Sequence, residues 1–154
     1  MITAIDHIAH TVWNLPDAVK QITATDGVEH VWTFESEKWQ YRTAYVLIGN
    51  DMFTLITPMS EKSFIADYLE QNGEGLHHIG VNVSNLDDAV DQLTAVGGEV
   101  IMRDTIEGVR TEATLHPKSL FGLQLQLIEW DETVGQTARE HIEAVQAAAA
   151  DGRL

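Results

Sequence analysis

The sequence predicts an α+β fold: two tandem βαβββ modules that form one cupped mixed sheet, followed by a C-terminal helix. Three observations carry this expectation. They are an internal repeat, a strand-then-helix pattern inside each copy, and an amphipathic stretch after the last strand. The modules span about residues 3–66 and 76–130, one domain over 1–130, and the helix takes up 131–154.

The repeat comes first. Residues 5–19 align without a gap on residues 76–90, and eight of the fifteen pairs are identical. The constant offset of 71 sets His7 on His78, Asn14 on Asn85 and Leu15 on Leu86. In each copy a short strand alternates its side chains, so His7 and Ala9 share one face while Ile8 and His10 share the other. By the same alternation His77 points away from His78 and reads as a packing or surface residue. Asn14 and Asn85 are residue types that cap helices, and Leu86, Ala89, Val90, Leu93 and Val96 then form an apolar stripe at helical spacing. Gly97-Gly98 can end that helix in a left-handed cap.

Further strands are expected at Val31–Phe34, Tyr41–Ile48 and Met52–Thr57, with Gly49-Asn50-Asp51 as a hairpin turn. Their counterparts are Glu99–Arg103, Arg110–His116 and Leu123–Trp130. The segment Asp67–Gly75 reads as a polar, glycine-bearing link. Neither half buries much surface alone, so the two should curl together. Val134, Ala138, Ile142, Val145 and Ala149 keep helical spacing and predict the terminal helix.

Composition narrows the function classes. The chain has 154 residues, no cysteine, and a net charge of -15 from 24 acidic and 9 basic side chains. Disulfides and thiolate metal sites are excluded, and a cytoplasmic location is expected. Nucleic acid and anionic membrane surfaces are poor partners for so negative a protein. No apolar run nears the roughly 20 residues of a membrane helix.

The segments Ile5–Ala9, Gly73–Gly80 (GEGLHHIG) and His116-Pro117-Lys118-Ser119 together resemble the vicinal oxygen chelate superfamily, which includes glyoxalases, bleomycin resistance proteins and dioxygenases. Within it the resemblance is to the methylmalonyl-CoA epimerases, over roughly residues 3–130. This resemblance implies a small-molecule substrate, an acyl-CoA, a homodimer, and a divalent metal such as cobalt, nickel, manganese, zinc or iron. It puts the first and third metal ligands on His7 and His78, and the fourth, normally Glu, on Gln126. The second falls on Thr54, a weak neutral ligand that would instead face substrate. His116, Lys118 and Ser119 would also bind substrate.

Epimerisation beside a thioester carbonyl takes a proton acceptor on each face of the carbon. The resemblance puts one at Glu37 or Lys38, and Glu37 is the chemically sensible choice. Gln126 cannot accept a proton, so the second acceptor is missing from the expected position. Glu129 cannot replace it, because strand alternation turns it away. A metal-free protein that holds a small ligand in the same cup is the alternative, as is a glyoxalase- or dioxygenase-type relative. His30 and His141 receive no role.

Overall fold

A computed structural model describes all of residues 1–154. The first strand, β1 (Ile2–Thr11), buries His7, Ala9 and Thr11 and leaves Ile5 and Ile8 exposed. The helix α1 (Leu15–Ile22) begins where the Asn14 side chain accepts the Asp17 amide. Strands β2 (Val28–Ser36), β3 (Tyr41–Ile48) and β4 (Asp51–Pro58) complete the first half, and β3 and β4 join through a two-residue turn at Gly49-Asn50. Gly49 takes a positive φ of 62°, which a glycine adopts without steric cost.

The second half repeats the pattern with β5 (Gly75–Val83), α3 (Leu86–Thr94), β6 (Val100–Ile106), β7 (Arg110–Leu115) and β8 (Leu125–Trp130). Asn85 caps α3 by accepting the Asp88 amide, as Asn14 does for α1. The eight strands form one sheet in the order β2-β3-β4-β1-β5-β8-β7-β6. Its two halves meet where β1 and β5 pair antiparallel, while β1 runs parallel to β4 and β5 parallel to β8. The expected α+β class with a curled mixed sheet is what the chain adopts.

One element was not expected. The link holds a helix, α2 (Phe64–Asn72), capped by the Ser63 hydroxyl on the Ile65 amide. Ile65 and Leu69, one turn apart, are buried against Ala9 and Ile56. From Asp67 onward the helix is mostly polar, with Glu70, Gln71 and Asn72, and the buried stripe, Ile65, Ala66 and Leu69, is short.

The helices divide the faces of the sheet. α1 covers Ala44, Val46 and Leu55, and α3 covers Ala113, Leu115, Leu125 and Leu127. The opposite, concave face carries α2 and the terminal helix α4 (Ala138–Ala150), whose Ile142, Val145 and Ala148 meet Leu47, Met52, Ile106 and Val109. Each of the larger side chains among them, Ile, Val, Leu or Met, contributes about 1.5–3 kcal/mol. On β4, Met52 touches α4 and Ile56 touches α2, so Thr54 between them faces the open part of the cup. No helix is long and apolar enough to cross a membrane.

Candidate functional site

Between α2 and α4 the concave face keeps a cup of about 480 Å³, lined by His7, Thr54, His77, His78, Arg110, Glu112 and Gln126 among others. Its geometry begins with the seam of the sheet. His7 Nε2 lies 3.0 Å from His78 Nε2, so the repeat brings its two equivalent histidines into direct contact. Gly80 sits opposite His7 across the seam, and a Cβ there would come within 2.5 Å of His7 Cε1. Absence of a side chain at Gly80 makes room for the ring.

Two register shifts in the seam add neighbours that alternation does not foresee. One lies between Ile5 and His7, and the other where Ala9 pairs His78 and His10 pairs Leu76. Each β-bulge turns an extra residue inward. The first buries Asp6 beside His7, with Asp6 Oδ1 2.7 Å from His7 Nδ1. The second corrects the expectation for His77. It lines the cup, packs on Tyr68 with ring centroids 4.6 Å apart, and places its Nδ1 2.7 Å from His78 Nδ1. His10 does stay outside the cup, against Phe53.

Asp6 Oδ2 accepts further bonds from His141 Nδ1 at 3.0 Å and from Trp130 Nε1 at 2.8 Å. Trp130 and His141 stack with centroids 3.9 Å apart. Thus His141, on α4, buttresses the first strand's histidine through Asp6, a role the sequence alone did not suggest. Burial works against the Asp6 charge, but the hydrogen bonds from His141, His7 and Trp130 outweigh it and hold the carboxyl well below the usual carboxylate range. Burial pushes His77 down to about 4. Burial, followed by the charges of His7, His77 and Arg110, keeps His78 well below the ordinary histidine value.

Only one proton fits between two ring nitrogens, and with neutral rings the chain of bonds has one solution. His77 Nδ1–H donates to His78, His78 Nε2–H donates to His7, and His7 Nδ1–H donates to Asp6.

The expected ligand positions do come together. Thr54 and Gln126 line the cup with the two histidines, and Thr54 Oγ1 and Gln126 Oε1 are buried without a hydrogen-bond partner. Two imidazole nitrogens 3.0 Å apart and two orphaned oxygens suit the coordination of a small divalent cation. The set is uncharged, however, and no three His, Cys, Asp or Glu side chains in the chain are arranged to hold a metal ion together.

Other expected residues lie elsewhere. Glu37 is on the exposed β2–β3 turn, where its carboxylate accepts from Gln40, and it lines an outer lobe of about 510 Å³. That lobe shares Tyr41, Tyr45, Arg110 and Glu112 with the cup. His116, Lys118 and Ser119 form a short 3-10 turn bound to itself and to Glu99, and none of them lines the cup or the lobe. Glu129 is turned away from the cup, accepting the Leu86 amide.

The sequence reading missed Arg110 and Glu112. Alternation on β7 puts Arg110, Glu112 and Thr114 on one face and Ala113 and Leu115 on the other, which was a usable signal. Burial opposes the Arg110 charge, but the neighbouring Glu112, Tyr45 and Asp6 raise its pKa above the ordinary value.

Comparison with known proteins agrees with this architecture. The sequence profile of the glyoxalase/bleomycin resistance protein/dioxygenase superfamily matches residues 6–115. The chain is 29% identical over 131 residues to an ethylmalonyl-CoA/methylmalonyl-CoA epimerase of Cereibacter sphaeroides, covering 82% of this chain and 98% of that one. It is 26% identical over 139 residues to an uncharacterised protein of Bacillus subtilis, covering 89% and 97%. A structure of a Streptomyces coelicolor methylmalonyl-CoA epimerase variant in complex with 2-nitronate-propionyl-CoA superposes with a TM-score of 0.75. The two share 27% identity, over 84% of this chain and 98% of that one.

Proposed function

Because the chain belongs to the glyoxalase/bleomycin resistance protein/dioxygenase superfamily, we propose that it is an isomerase acting beside the thioester carbonyl of an acyl-CoA, in the manner of a methylmalonyl-CoA epimerase. The observation that carries this reading is the His7–His78 contact in a cup whose other two corners, Thr54 and Gln126, hold buried oxygens without partners. The epimerase relatives supply the substrate class. His7, His78 and Gln126 would hold a divalent metal, with Thr54 facing the substrate. When bound, such a cation polarises a carbonyl oxygen.

The chain's own residues do the rest of the work. Asp6 and His141 fix the His7 ring by holding Nδ1 and leaving Nε2 toward the cup. Trp39, Phe64 and Tyr68 give the cup an aromatic rim against which an acyl chain can pack. Glu37, on the outer lobe, takes a proton from the acyl carbon. A homodimer suits the exposed Ile5, Ile8 and Leu76 of the central strands.

The test is solvent deuterium exchange at the α carbon of methylmalonyl-CoA, run beside metal analysis of the wild type, His7→Ala and His78→Ala. Absence of exchange and of bound metal in the wild type would sink this reading. The direct His7–His78 hydrogen bond favours a second one, a metal-free protein that binds a small ligand. Divalent cations then leave the melting temperature unchanged, whereas a metal site raises it.

A further inference from the structure

Arg110 and Glu112 are the only arginine, lysine, aspartate or glutamate residues lining the cup. Their side chains are 14% and 9% exposed, while in every other arginine–carboxylate pair of the chain both partners are at least 37% exposed. A buried pair kept for stability needs its hydrogen bonds filled, since its desolvation is otherwise uncompensated. This one is not filled. Glu112 Oε2 lies 2.9 Å from Arg110 Nη2 but makes no well-angled hydrogen bond, and Arg110 Nε has no partner. A costly, half-satisfied pair on a cavity wall marks a working group.

Its place in the sheet says which work. Thr114 on β7 lies opposite Gln126 on β8, and Glu112 is two residues along on the same face. The neighbouring strand thus supplies a carboxylate to the same cup, two residues along from the position opposite Gln126, whose amide cannot accept a proton. We propose that Glu112 is an acid–base group of the cup, with Arg110 as the positioning residue that aims its carboxylate. This rests on the isomerase reading. In the step, the Cα–H bond beside the thioester breaks, the proton passes to a Glu112 oxygen, and the electron pair moves onto the thioester oxygen as an enolate. Return of a proton to the carbon, from Glu112 or from a protonated Glu37 across the lobe, restores the thioester, and in the second case exchange with water takes the proton from Glu112 and reprotonates Glu37. The cup and the lobe share Glu112, so an acyl group lodged there lies between the two carboxylates.

The experiment measures deuterium wash-in and epimerisation of each methylmalonyl-CoA diastereomer by the wild type, Glu112→Gln, Glu112→Asp, Arg110→Gln and Arg110→Lys. Calorimetric binding of the same thioester and melting temperature are followed in parallel. Glu112→Gln should bind within about threefold of the wild type yet epimerise on the order of 100-fold more slowly or worse, and lose the acid limb of its kcat/KM profile. Glu112→Asp, which keeps the charge, should fold and give an intermediate rate. Arg110→Lys should recover part of what Arg110→Gln loses. An active wild type with Glu112→Gln within threefold of it overturns the role of Glu112 alone. A wild type that binds the thioester but exchanges nothing overturns the isomerase reading, and this assignment with it.

Discussion

His7 is held from both sides, by Asp6 on Nδ1 and His78 on Nε2, so it cannot swing away from an intruding group. Gly80→Ala therefore forces a shift in the seam and should cost about 1–3 kcal/mol, read from urea unfolding, with the bound metal or ligand weakened as well. An unchanged midpoint would show that the ring has room. The pH response belongs to the same residues. Buried His77 titrates near 4 when folded and near 6.5 when unfolded. Between those values the unfolded chain takes up a proton that the folded one refuses, so stability falls on acidification by about 1.4 kcal/mol per pH unit. Asp6 acts lower down: its stabilisation is complete above the unfolded value of about 3.9 and is lost as pH falls further. His77→Gln should reduce the loss between pH 6.5 and 4 and leave the part due to His78, which burial also holds below the ordinary histidine value, and a wild type equally stable at pH 7 and 4.5 would refute the scheme. The repeat made His7 and His78 legible. It could not show His77 or Asp6 turning inward, because a bulge adds a residue without leaving a sequence mark.

The helices show where periodicity informs and where it stops. α4 was legible from its spacing, and a capping box formed by Thr137 and Glu140 starts it. What spacing could not tell is the surface it covers. Although it follows the second half, α4 lies on β2, β3 and β4 of the first and carries His141 to Asp6. Ile142 is fully buried there, so Ile142→Ala should cost about 2–5 kcal/mol. His141→Ala should cost less in stability but loosen the His7 ring, seen as a larger drop in metal affinity than in melting temperature. Equal losses in the two variants would mean that His141 only fills space. α2 was missed because its buried stripe, Ile65, Ala66 and Leu69, spans little more than one turn, too short for a helical period to stand out.

The molecule is two halves that do not close separately. Each has a convex core under its own helix, Val12, Leu15, Ala44, Val46 and Leu55 in the first and the cluster around Leu115 and Leu127 in the second. The repeat foretold that much. The concave face is shared: β1 needs β5 as its antiparallel neighbour, and Leu47 and Met52 need α4 from beyond the second half. The site inherits this division, with His7 and Thr54 from one half and His78, Arg110, Glu112 and Gln126 from the other. A chain cut between Gly73 and Gly75 should therefore give fragments with different fates alone and together. Residues 1–74 alone leave β1 paired only with β4, its β5 edge open, and Leu47 and Met52 bare, so urea should unfold them without a cooperative transition. Pairing of two such fragments through β1 would restore the seam but not α4, and Leu47 and Met52 would stay uncovered. Mixing the fragment with residues 75–154 should restore one cooperative transition, followed by the change in tryptophan fluorescence as Trp130 Nε1 regains Asp6 from the first fragment. A cooperative transition from residues 1–74 alone, in a monomer by sedimentation, would mean that the first half carries its own core and that the cup is an assembly of two independent folds.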